Sequence, residues 1–131
     1  MKVLSIKEPF ATLISRGIKK IETRSWKTNY RGEIYIHAST SNIKKEIYDR
    51  KDLMNLISDL DFNYGYIICK CILVDCVYMT EEYIEKVKKN HNEYVCGRYE
   101  VGRYAWLLDN VELLNIPIKA KGKLGIWNYN K

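Results

Sequence analysis

From Gly17 to Ser39 the chain reads GIKKIETRSWKTNYRGEIYIHAS, and its alternation constrains the local geometry. Side chains along a strand point alternately to opposite faces. Lys20, Glu22, Arg24 and Trp26 therefore share one face, with Ile21, Thr23 and Ser25 on the other. Asn29-Tyr30-Arg31-Gly32 follows as a turn, with Gly32 free to take positive φ. Ile34, Ile36 and Ala38 then form the apolar face of a second strand, and Tyr35, His37 and Ser39 its polar face. The pattern predicts two strands joined by a basic, aromatic turn. Its polar side has two readings. One is a solvated hairpin face with a surface ion pair, worth little energetically. The other is a recognition face carrying many donors and acceptors.

The flanking sequence supplies the rest of a fold. Lys2 to Ile6 alternates as a first strand. Pro9 fits the first turn of a short helix, and Gly17 suits the residue just past its end. Residues 41–62 read as a helical insertion, capped by Ser41 or Asn42 and breaking near Arg50-Lys51. Gly65 to Tyr78, GYIICKCILVDCVY, is apolar on both faces apart from Lys70 and Asp75, so it should be a central strand. Thr80 caps another helix, with Glu81 and Glu82 in its first turn. His91 to Gly102 reads as a long polar and aromatic loop of the kind that carries binding function. Tyr104 to Leu108 and Val111 to Ile118 continue the sheet, and Lys119 to Trp127 closes it. With 131 residues the chain should be one domain, 1–131, able to bury a core without staples.

Charge narrows the partners. Twenty-two Lys+Arg against 16 Asp+Glu leave a formal net charge of +6, which favours polyanions, above all nucleic acid. The densest basic groups are Lys19-Lys20 to Lys27, Lys86-Lys88-Lys89 and Lys119-Lys121-Lys123. No apolar run approaches the ~20 residues of a membrane span, and the N-terminus lacks a secretory apolar core. The expectation is a cytoplasmic protein with no membrane partner. Its 4 cysteines, Cys69, Cys71, Cys76 and Cys96, are then expected as free thiols. Cys69, Cys71, Cys96 and His91 could be drawn as a zinc site, but the spacing is not that of structural zinc pairs. Buried small hydrophobes are the preferred reading, with no metal and no cofactor.

Gly17, Lys19, Glu22, Arg24 and Trp26 fill the pattern GxKxxExRxW, and YRG and IHAS follow. With Glu8-Pro9-Phe10-Ala11 before them, and Gly102-Arg103-Tyr104-Ala105-Trp106 and Gly125-Ile126-Trp127 after, the chain resembles the ASCH domain over nearly its whole length. The resemblance implies an α+β, PUA-like fold: a mixed, mainly antiparallel β-barrel of about five or six strands with flanking helices. It also implies RNA or a nucleotide as ligand, bound in a cleft around Lys19 to Ser39. Lys19, Lys20, Arg24 and Arg31 are the phosphate candidates. Trp26, Tyr30, Tyr99 and Tyr104 could stack on bases. His37 and Ser39 could bond base edges or sugar hydroxyls, and Glu22 could aim Arg24.

An enzyme is the alternative the resemblance implies. Some family members resemble amidohydrolases acting on N4-acetylcytidine through a Lys, a Thr three residues on and a downstream Glu. Others resemble RNA-cleaving proteins. Lys19 and Glu22 would be the catalytic pair of a metal-independent hydrolase. The position three residues after Lys19 is Glu22 rather than Thr, which predicts weak or absent hydrolysis of that substrate. Glu85 and Glu93 are the candidates for the downstream acid. A regulatory module that binds another protein is a further alternative, and it would show an exposed apolar patch away from the cleft.

Overall fold

The computed structural model describes residues 1–130. Its strands are β1 (Lys2–Ile6), β2 (Ile21–Arg24), β3 (Gly32–Ala38), β4 (Tyr66–Tyr78), β5 (Tyr104–Lys119) and β6 (Ile126–Asn128). Its helices are α1 (Phe10–Ser15), α2 (Lys45–Tyr48), α3 (Lys51–Ile57), α4 (Glu81–Lys88) and α5 (His91–Val95). The strands form one six-stranded sheet in the order β2-β5-β4-β3-β1-β6. Only β1 and β3 run parallel; the other neighbours are antiparallel. The sheet curls into a half-barrel, as expected for a mixed, mainly antiparallel α+β fold.

The curl is centred on β4. Ile67, Ile68, Cys69, Cys71 and Leu73, which take both of its faces, are buried, while Val74 and Tyr78 further along are exposed, and three register shifts along the β4–β5 ladder let the long strands bend. Helix α1 packs on β1, β3, β4 and β5, so it must lie inside the concave side. Ala11 and Ile14 join the main core there, while Leu13 meets Leu53 and Ile57 of α3. Gly17, at φ 75°, ends α1 and turns the chain, and the Leu13 carbonyl accepts from both Ile18 and Lys19 N–H.

Three local expectations need correction. β2 and β3 do not pair as a hairpin. β2 is an edge strand on β5, with Thr23 opposite Ala105, whereas β3 lies between β4 and β1. Alternation fixes faces, and it is silent on which strand supplies the backbone partner. The insertion does break near Arg50-Lys51, but α2 starts after Lys44 with no side-chain cap from Ser41 or Asn42. The presumed loop after His91 begins as helix α5, capped by the Asn90 side chain, which accepts from Glu93 N–H.

Candidate nucleic-acid interface

Edge strands β2 and β6 do not pair, so the half-barrel keeps a seam. Arg24 on β2 reaches across it and donates through Nη2 to the Ser5 carbonyl of β1 (3.0 Å). Around this bridge opens a cavity of about 1000 Å³. Its size suits a nucleotide-scale ligand.

The floor of the cavity is polar and buried. Lys19 is 1% exposed. Its Nζ donates to the Cys96 carbonyl (2.7 Å), lies 3.7 Å from a Glu22 oxygen, and sits 5.5 Å from the Phe10 ring centre. Glu22 accepts from Arg24 Nε at 3.0 Å, and the same carboxylate oxygen is 3.0 Å from Arg24 Nη2. The alternation thus placed Glu22 and Arg24 correctly on one face. Glu93 sets the approach of this strand. Its carboxylate accepts from Lys20 N–H (2.8 Å) and Ile21 N–H (3.2 Å), clamping the backbone that leads from Lys19 into β2.

Above the floor the walls are cationic. Arg24, Arg98 and Arg103 line one side, and Lys121 and Lys123 come from the loop before β6. Lys7, Lys19, Lys44 and Arg50 complete nine cations, against the two carboxylates of Glu8 and Glu22 among the described residues. Burial, and then the adjacent Arg98 guanidinium, hold the Arg103 pKa below its ordinary value. Such crowding of like charges favours an anionic ligand. Trp26 stands at the rim, 38% exposed, with its ring edge-on to buried Trp106 at 4.7 Å. One flank of its indole is therefore fixed, and the exposed part, just over a third of the residue, is left for stacking.

Several predicted residues lie elsewhere. Lys20 is exposed and does not line the cavity. Arg31 turns away to the Thr28 and Tyr30 carbonyls and to Asp75, while Tyr30 donates to the Glu33 carbonyl. Tyr99 is buried in the core beside Met79 and Ala105, stacked on Tyr94 at 5.6 Å. Tyr104 packs edge-on to Tyr78. Alternation and loop position pointed to these five, but local hydrogen bonds hold Tyr30 and Arg31, and packing holds Tyr99 and Tyr104, away from the cavity. Ser39 lines the cavity and pairs with Ser41. His37 also lines it, yet both ring nitrogens are engaged, Nδ1 with Ser5 Oγ (3.0 Å) and Nε2 with the Ala120 carbonyl (2.7 Å). A carbonyl only accepts, so Nε2 carries the hydrogen. Neither candidate for the downstream acid lines the cavity: Glu85 is exposed and pairs with Lys88, and Glu93 is spent on backbone.

The cysteines are free thiols. Cys69 and Cys71 belong to the main core beside Ile34 and Ile36, and burial pushes the Cys71 thiol up to about 12. Cys96 lines the cavity, but burial raises its thiol to about 11, which keeps it protonated and a weak nucleophile. No group of three or more His, Cys, Asp or Glu among the described residues is placed to hold a metal. No helix among them is long and apolar enough to cross a membrane.

A curled α+β sheet, plugged by one helix and opening at its seam into a cation-walled cavity, defines a PUA-like half-barrel protein. The chain belongs to the ASCH domain family, whose sequence model matches residues 4–118. It is 25% identical over 125 residues to human Activating signal cointegrator 1, covering 95% of this chain and 21% of that protein. The mouse protein of the same name is also 25% identical, again across 95% of this chain and 21% of its own length. This chain thus spans about a fifth of the length of those relatives. The crystal structure of ASCH from Zymomonas mobilis superposes with a TM-score of 0.56 at 18% identity, over 90% of this chain and 72% of that one, which supports the fold.

Proposed function

We propose that the seam cavity binds single-stranded RNA, seating one unpaired nucleotide over the Lys19 floor. The observation that carries this reading is the lining: nine cations face two carboxylates, with half-open Trp26 at the rim. Arginines in the lining suit phosphates, and an aromatic ring suits an unstacked base. A structured duplex would not offer its bases to so enclosed a space, whereas a single strand can splay one in.

Salt dependence tests this reading. About four phosphates contacted would make log affinity fall with log salt at a slope near −3. A slope near zero for a short single-stranded RNA would remove RNA as the ligand.

Hydrolysis in the same cavity is the second reading, favoured by one observation, the 3.7 Å approach of Lys19 and Glu22. That separation exceeds the roughly 2.6–3.2 Å of a proton-transferring hydrogen bond. Lys19 is moreover committed to the Cys96 carbonyl, and Glu22 to Arg24. Thr23, the nearest hydroxyl in sequence, accepts from Arg98 N–H. Release of acetate from N4-acetylcytidine by this protein, lost in Lys19→Ala, would put hydrolysis ahead of binding. A protein contact could in addition use exposed Leu113 and Ile116 on β5, which lie outside the cavity and can be changed independently.

A further inference from the structure

Glu8 is the anomaly of the cavity. It is 2% exposed and lines the cavity, yet no cation lies within 4 Å of its carboxylate among the described residues. Buried carboxylates are ordinarily paired or heavily hydrogen-bonded. The other cavity acid, Glu22, satisfies that rule through Lys19 and Arg24. Glu8 has one hydrogen-bonding partner residue: Thr12, whose backbone N–H donates to Oε1 (2.8 Å) and whose hydroxyl donates to Oε2. Accepting on both oxygens is the pattern of an ionised carboxylate held in one orientation. Such a group has about four lone-pair sites, so roughly half its acceptor capacity is left. Burial raises its pKa, with the Thr12 bonds opposing, as expected of a charge to which the protein supplies no cation.

The same cavity is also lined by the opposite chemistry. Lys19 Nζ has three donors, of which the Cys96 carbonyl takes one, while Glu22 lies 3.7 Å away as its ion partner. Phe10, two residues after Glu8, packs under that ammonium. The floor thus offers a rigid acceptor and a spare donor within one cavity.

Resting on the RNA reading above, we infer that Glu8 and Lys19 select a base whose ring N–H lies beside a carbonyl oxygen, guanine above all. Guanine presents O6 to the lysine and the N1–H and N2–H donors to the carboxylate. Adenine and cytosine present a ring-nitrogen lone pair in that place, which an ionised carboxylate repels. Inosine keeps O6 and N1–H and lacks the second donor.

The test compares short oligoadenylates, all-adenine or carrying a single guanine, inosine or cytosine, by fluorescence anisotropy. The guanine strand should bind roughly tenfold tighter than the all-adenine one, with inosine between them. Glu8→Gln, which keeps the shape and an acceptor for Thr12 N–H, should bring the guanine and adenine strands within about twofold of each other. The native ranking is decisive even if that variant folds poorly. Equal affinity for all four strands, or preference for adenine or cytosine, overturns the Glu8 inference and leaves the RNA reading standing. Failure of all four strands to bind overturns both.

Discussion

Two polar networks meet at the cavity, and they differ in what each leaves unsatisfied. In the first, Trp127 Nε1 donates to Ser5 Oγ (3.1 Å), Ser5 Oγ meets His37 Nδ1, and His37 Nε2 donates to the Ala120 carbonyl. Gly122 lies on top, and a Cβ there would come within 2.8 Å of Ser5 Oγ and 2.9 Å of His37 Cε1. Every ring nitrogen is used, and there is no room for a side chain at position 122. In the second, Lys19, Glu22 and Arg24 are linked, yet Lys19 keeps a donor, Arg24 has 23% of its side chain exposed, and Glu8 lacks a cation. A closed network fixes the β1–β3–β6 side of the barrel. An open one is ready for a ligand. Burial does not separate the two, because His37 and Lys19 are both 1% exposed. Unused hydrogen-bonding capacity does.

The largest effect should come from breaking the closed network. His37→Ala strands the Ala120 carbonyl and opens a void beside Trp127, and should cost about 3 kcal/mol of stability. Denaturant titration measures it. RNA affinity, taken well below the midpoint, should change far less. If His37→Ala instead left stability intact and abolished binding, the assignment of the two networks would be reversed.

Arg24→Ala should do the opposite. Affinity for single-stranded RNA should fall roughly tenfold and the salt slope should flatten by about 0.7, one phosphate's worth. The stability loss should be smaller than for His37→Ala, since Glu22 keeps Lys19. Binding isotherms at several salt concentrations read both quantities.

Smaller again is the effect of Glu22. Glu22→Gln keeps one acceptor for Arg24 and should weaken binding only about threefold, while Glu22→Ala frees the guanidinium and should weaken it more. Equal losses in the two variants would mean that Glu22 does not orient Arg24.

The smallest effect concerns stability against pH. Glu8 has a folded-state pKa above its ordinary 4.5, so protonation favours the folded protein. Its contribution to stability is full below about 4.5 and is lost as pH rises through the folded-state value. Glu8→Gln removes that loss, so the variant should gain on the native protein as pH rises above about 4.5. A constant difference across that range would show that Glu8 is not strained by burial. A gain in stability coupled to lost base selection is the trade expected of a functional residue.

Much of this contrast was legible in the sequence, though unevenly. Alternation placed Glu22 and Arg24 together, and the double-sided apolar run identified β4 as the central strand. It could not say that β2 pairs with β5, because strand partners are chosen by contacts some 80 residues away. Nor could it distinguish His37 from Lys19, since saturation depends on Ser5, Ala120 and Cys96, brought in from distant segments. Arg98, Arg103, Lys121 and Lys123 stood in segments already marked as polar or basic, but only the curl of the sheet turns them onto one cavity. Glu93 had a local signal, Asn90 three residues before it as a helix cap, that would have exposed α5. Glu8 had none beyond its place before the first helix.

The most direct test uses the 3 tryptophans as reporters of the two networks. Trp26 lies at the rim of the open one, Trp127 is bonded within the closed one, and Trp106 donates to the Trp26 carbonyl from the core. Indole N–H resonances should be followed by NMR while a short single-stranded RNA is titrated in. The Trp26 signal should shift progressively to saturation, with Trp106 responding weakly and Trp127 staying in place. A Trp127 signal that moves while Trp26 does not would contradict the assignment of the open seam network as the ligand site.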